Sequence, residues 1–134
     1  MKRSIEILKG KVNSDQLDEY DHLAMPNYLK IINNGIMILS NDIFKNTLSN
    51  NNKRLVAARC NLEFKNELLL NNEWILNVKF IDFDIKYLTL DFKIRSKSQV
   101  KAKAIMVLVA FDLTSRKSVT LSSEEIYILK QLLN

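Results

Sequence analysis

The sequence has few of the residues from which turns, disulfides and metal centres are usually built. Its 134 residues include 2 glycines, 1 proline, 1 cysteine and 1 histidine. Folds that depend on repeated glycine turns are thereby disfavoured, and the turns must come from Asn, Asp and Ser, in which the chain is rich. The single cysteine, Cys60, excludes an intramolecular disulfide, and no Cys/His cluster has zinc-ligand spacing. Long hydrophobic runs are missing too. The longest, residues 104–111, is far short of the roughly 20 residues that span a bilayer. The opening is basic at Lys2 and Arg3, but Glu6 and Lys9 interrupt it before a signal-peptide core could form. A reduced, cytoplasmic protein with no membrane segment, metal or cofactor is expected.

What is present is ordinary for a globular chain: 47% hydrophobic and 26% charged residues. The length suits one domain, residues 1–134, burying about two thirds of its unfolded surface. The formal net charge of +5 permits contact with phosphates. The basic residues are spread along the chain and are not interleaved with aromatics, so nucleic acid is not an expected partner.

Residues 4–12 alternate loosely and suit a first strand. A polar loop follows over residues 13–21, and Pro26 is placed to begin a helix, where its missing N–H has no partner to lose. Tyr28, Ile32, Ile36, Leu39 and Ile43 recur at helical spacing. Leu29, Met37 and Ile38 widen that face until little polar surface remains, which predicts a buried helix. Gly35 in its middle implies a bend or another backbone passing close by. The Asn-rich segment 49–53 ends it.

Strands are then predicted to residue 121. Val56, Ala58, Cys60, Leu62 and Phe64 form one face of the first, with Cys60 as a small core residue. Trp74, Leu76, Val78 and Phe80 face inward on the next. Leu88, Leu90, Phe92 and Ile94 follow, with Thr89, Asp91, Lys93 and Arg95 on the polar side. The segment 100–111 begins by alternating and becomes apolar on both faces, which predicts a helix on one side and a partner subunit on the other. Ser122 and Glu125 have capping-box spacing for a short C-terminal helix. The pattern predicts an α+β domain in which a long central helix is wrapped by a five- to six-stranded antiparallel sheet.

This element order, and the loop Asp18-Glu19-Tyr20-Asp21-His22-Leu23 leading to Pro26-Asn27-Tyr28-Leu29, resemble the hotdog-fold acyl-CoA thioesterases of the 4-hydroxybenzoyl-CoA thioesterase-like family. The strand Cys60-Asn61-Leu62-Glu63-Phe64 and the run from Val109 to Asp112, then Arg116 to Leu121, are similar to other parts of that family. Asp21 replaces the family's glycine, and Ala24-Met25 replace an asparagine pair.

The resemblance implies hydrolysis of an acyl thioester carried by CoA or acyl carrier protein, in a homodimer or homotetramer, and places Asp18 in the catalytic role. Whether Asp18 attacks the carbonyl or activates water stays open. Backbone N–H groups at a helix N-terminus would stabilise the oxyanion. His22, Asn27 and Tyr28 are candidate substrate-binding residues. Asp21 either faces Asp18 across a pocket or caps a turn. Arg54, Arg59, Lys93, Arg95 and Lys97 are available to carrier phosphates, none singled out. The alternative to hydrolysis is a hotdog protein that binds an acyl thioester or partner without turnover.

Overall fold

A computed structural model describes residues 4–50 and 52–133. The basic opening at Lys2 and Arg3, and Asn51 of the Asn-rich segment, lie outside the described residues.

The chain runs β1 (Ser4–Lys11), a 3-10 turn (Ser14–Gln16), α1 (Met25–Ser40), a π-helical segment (Asn41–Thr47), β2 (Lys53–Phe64), β3 (Glu73–Phe83), β4 (Leu88–Ser96), β5 (Gln99–Asp112), β6 (Lys117–Val119) and α2 (Ser123–Leu132). Six strands form one antiparallel sheet of order β1-β3-β4-β5-β2, with β6 also on β5. β6 lies beside β5 beyond the last β4 pair, Leu88 with Leu108. The expected wrapped-helix architecture, the hotdog fold, is what forms.

Tyr28, Ile31, Ile32, Gly35, Ile36 and Leu39 are the buried face of α1. Leu76, Val78, Leu90, Phe92, Ile94, Ala104, Met106 and Leu108 belong to the same core. Burying one such large side chain contributes about 1.5–3 kcal/mol, so this face alone holds the helix in the sheet. Pro26 is the second helical residue, a position whose N–H also lacks an intrahelical acceptor. At Gly35 it is side chains that come close, and no backbone does. A Cβ there would stand 2.6 Å from Leu76 Cδ2 and 2.9 Å from Ile7 Cδ1.

Three expectations need correction. The helix is not covered all round: Met25, Leu29 and Met37, at successive spacings of four and eight residues, are exposed, Met37 by 54%. Cys60 is exposed on the edge strand β2, although its register partner Met106 on the neighbouring strand is buried. Asp91 alternates with the core residues of β4, yet it is only 8% exposed. It lies in a central strand, registered between Lys79 and Ile105, whose neighbouring side chains cover it. Lys93 Nζ and Lys103 Nζ stand 3.9 and 3.8 Å from its Oδ2, and its Oδ1 has no hydrogen-bond partner among the described residues. The outer face of β5 is only half-buried at Ile105, Val107, Val109 and Phe111.

α2 starts with the expected reciprocal capping box. Glu125 N–H donates to Ser122 Oγ (3.1 Å) and Ser122 N–H to Glu125 Oε1 (2.8 Å). The same buried carboxylate receives Lys53 Nζ at 2.8 Å, tying α2 to the start of β2.

Candidate active site

The loop before α1 is folded by its own backbone. Asp18 N–H donates to His22 O (3.0 Å) and Asp21 N–H to Asp18 O (3.1 Å). Closing so tight a turn puts Asp21 in the left-handed region, φ 63°. Glycine adopts this conformation most freely, and aspartate tolerates it better than most residues. The Asp21 replacement thus keeps the turn that a glycine would make, and the Asp21 side chain is exposed outside the pocket.

The turn projects Asp18 and His22 to one side. Asp18 Oδ1 accepts the Tyr20 N–H at 2.9 Å, which fixes the carboxylate, while Oδ2 stands 3.6 Å from His22 Nδ1. Tyr20 stacks on the His22 ring, with centroids 6.0 Å apart. Asn27 serves the loop: its Nδ2 donates to Gln16 O (2.9 Å), and it does not line the pocket. Ala24 N–H donates to the same carbonyl.

Asp18, His22, Leu23, Met25, Tyr28, Phe64, Lys65, Asn66 and Glu67 enclose a pocket of about 320 Å³. Of the sequence candidates, Asp18, His22 and Tyr28 thus meet in one cavity. The wall formed by Phe64, Lys65, Asn66 and Glu67 is absent from the sequence expectations. Nothing in that polar stretch marks it, because long-range pairing brings it there. Leu23 N–H donates to Leu68 O (2.8 Å), Leu68 N–H donates to the Tyr28 hydroxyl (3.3 Å), and His22 bridges to Leu69. Tyr28 and Phe64 meet edge to face at 5.2 Å, making an aromatic floor.

Burial pushes the Tyr28 hydroxyl above its ordinary pKa, against the Leu68 hydrogen bond and with help from the Glu67 and Asp18 charges. It therefore stays neutral through the working range and can donate. α1 opens on this pocket with no capping side chain from Ala24. The Met25 N–H is among the first-turn donors that a helix leaves unpaired, at its positive end. The site combines a fixed carboxylate, a histidine, an aromatic floor and a helix N-terminus. Among the described residues no group of three His, Cys, Asp or Glu side chains could hold a metal ion.

The thioesterase-like superfamily model matches residues 12–132, nearly the whole chain. The chain belongs to the thioesterase-like superfamily. The Escherichia coli protein YbaW is 22% identical, with a TM-score of 0.76 over 100% of this chain and 99% of that one. The 1,4-dihydroxy-2-naphthoyl-CoA thioesterase of Synechocystis is 14% identical, with a TM-score of 0.76 over 98% of each. A Staphylococcus aureus protein solved in complex with CoA is 14% identical, with a TM-score of 0.79 over 96% of this chain and 85% of that one. These similarities are of fold. No curated protein sequence matches the chain. As a superfamily member, this hotdog protein is of the class in which thioester hydrolysis is the general chemistry.

Proposed function

We propose that the protein is a cytoplasmic thioester hydrolase acting on acyl groups carried by CoA or acyl carrier protein, with Asp18 as its catalytic carboxylate. The observation that carries this reading is the position of Asp18, held by the Tyr20 N–H at the rim of an apolar pocket onto which α1 opens its first turn. The Met25 N–H serves as oxyanion donor, where a helix end stabilises developing negative charge. Asp18 either attacks the thioester carbonyl, forming an anhydride that water then hydrolyses, or takes a proton from the attacking water. In both cases the C–S bond breaks, the thiol leaves with a proton, and a carboxylic acid is released. His22 orients Asp18, and Tyr28 and Phe64 contact the acyl group.

A homodimer, or a tetramer of two dimers, completes the site. Among the described residues the outer edge of β2 has no partner strand; Phe64 on it is exposed, as is the α1 stripe of Met25, Leu29 and Met37, and Phe64 and Met25 both line the pocket. Pairing two β2 edges would cover these side chains and wall the pocket.

The test is a panel of acyl-CoA and acyl-carrier-protein thioesters assayed with the wild type and Asp18→Asn. Turnover of at least one class, lost by about 100-fold or more in the variant, is the expected result. Tight thioester binding with no turnover by the wild type would overturn catalysis and assign the site to binding alone.

A further inference from the structure

A second recess, of about 1210 Å³, lies at the same end of the sheet. Its walls come from the end of β1 (Lys9, Gly10, Lys11), the start of β3 (Glu73, Trp74, Ile75), the end of β4 with its turn (Arg95, Ser96, Lys97, Ser98) and residues 70–72. The strand register sets Lys9 against Ile75 and Ile75 against Arg95, so these three share the sheet face turned away from the core. One loop separates this recess from the Asp18 pocket, since Glu67 lines the first and Leu70 the second.

Its chemistry is unlike that of the first pocket. Four cations, Lys9, Lys11, Arg95 and Lys97, line it against two carboxylates, Glu6 and Glu73. Among the described residues none of these four makes an ion pair, whereas Lys53, Lys65, Lys93 and Lys103 each have a carboxylate within 4.0 Å. Unpaired cations gathered in a concavity raise the local potential and concentrate anions. Trp74 also lines the recess. Its ring lies directly on the bare backbone of Gly10, where a Cβ would collide with it. Trp74 is only 8% exposed, and its buried Nε1–H has no partner among the described residues, a donor left without the bond that burial normally demands. Leu70 and Ile75 are exposed apolar side chains on the same walls. Asn71, Lys97 and Ser98 hold left-handed backbone here, three of the six described non-glycine residues that do. Lys97 and Ser98 do so as the two central residues of the tight β4–β5 hairpin, which fixes the backbone at this wall.

We propose that this recess binds clustered phosphates and, resting on the thioester reading above, that its occupant is the nucleotide end of a CoA thioester whose acyl end lies beside Asp18. The lysines and Arg95 take the phosphates. Leu70 and Ile75 offer apolar surface to the base, while Trp74, packed inward beside Gly10, borders the recess from the core side. The concavity favours a small phosphorylated ligand over the acidic helix of a carrier protein, which would need a broad surface rather than a cleft.

Trp74 is the only tryptophan in the chain, so its fluorescence reports on the recess. The intact protein is titrated with CoA, adenosine 3′,5′-bisphosphate and inorganic phosphate, and the same titrations are made on Arg95→Ala/Lys97→Ala and Lys9→Ala/Lys11→Ala. CoA and the bisphosphate are expected to give saturable, mutually competitive changes that weaken with salt, inorganic phosphate a far weaker one, and each double variant an affinity for CoA lower by roughly tenfold. The KM for an acyl-CoA rises by a similar factor, while that for the matching acyl-N-acetylcysteamine, which has no nucleotide, moves far less. Circular dichroism confirms the fold of both variants, and the second leaves the β4–β5 turn untouched.

Absence of a Trp74 response to CoA and the bisphosphate, or unchanged affinity in both variants, overturns the proposal. A bisphosphate response that CoA does not compete for overturns the CoA assignment. If no thioester is hydrolysed but the CoA response and its loss in the variants persist, the recess proposal stands and the hydrolase reading falls. If acyl-CoA is hydrolysed with neither a Trp74 response nor a KM change in the variants, the hydrolase reading stands and the recess proposal falls.

Discussion

Asp18 Oδ2 stands 3.6 Å from His22 Nδ1, across a turn that their own backbones close through the Asp18 N–H to His22 O bond of 3.0 Å. The separation is longer than a good hydrogen bond but short enough for an electrostatic contact whenever His22 is protonated. The histidine thus bears on the position of the carboxylate, while the Tyr20 N–H already holds the other oxygen.

His22→Ala is therefore expected to lower kcat by about tenfold, well short of the loss from Asp18→Asn, with little change in KM. Steady-state kinetics on the best thioester of the panel measures the two variants side by side. Equal losses would make His22 a partner in the chemistry itself.

Leu29 and Met37 are two turns apart on the uncovered stripe of α1. Leu29→Lys puts a charge in the proposed subunit border without touching the buried face of the helix. It should shift the protein to monomer in light scattering and reduce activity by about tenfold or more, with a melting curve still cooperative. A variant that remains dimeric would place the interface elsewhere.

Cys60 is exposed on edge strand β2, yet local desolvation raises its thiol pKa. A raised pKa means less thiolate at any pH below it, so alkylation should follow a curve displaced to higher pH than that of a free cysteine. Iodoacetamide labelling followed by mass spectrometry, from pH 7 to about 10, reads this directly. A β2-to-β2 dimer would also slow labelling as protein concentration rises.

Glu125 caps α2 and receives Lys53, and its carboxylate is buried. Glu125→Ala removes the carboxylate half of the capping box, the Ser122 Oγ bond to the backbone N–H staying in place, and leaves Lys53 without its carboxylate in a partly buried place. Chemical denaturation should show a loss of about 2–4 kcal/mol, with catalysis at permissive temperature little changed because the Asp18 pocket contains neither residue.

Much of the fold was legible because burial leaves a period in the sequence. Trp74, Leu76, Val78 and Phe80, and Leu88, Leu90, Phe92 and Ile94, alternate and are buried as their spacing predicts. The recurrence along α1 likewise predicted its buried face. Asp18 and His22 share a short loop with Tyr28 close behind, so local geometry could bring them together without knowledge of the rest.

Periodicity, however, records only that a side chain alternates. It does not say whether anything lies over it. Cys60 and Asp91 show both failures: the first has an apolar-side position on an edge strand and is exposed, and the second a polar-side position in a central strand that its neighbours bury. The wall of Phe64, Lys65, Asn66 and Glu67, and the basic recess of Lys9, Lys11, Arg95 and Lys97, are made by pairing among segments distant in sequence. The sequence by itself determined the elements, their order, and the loop that holds the carboxylate, because these follow from local spacing and backbone preference. Only the tertiary structure decided which cations stand together, which edge stays open, and what faces Asp18, because strand order and register are settled by the packing of the whole chain.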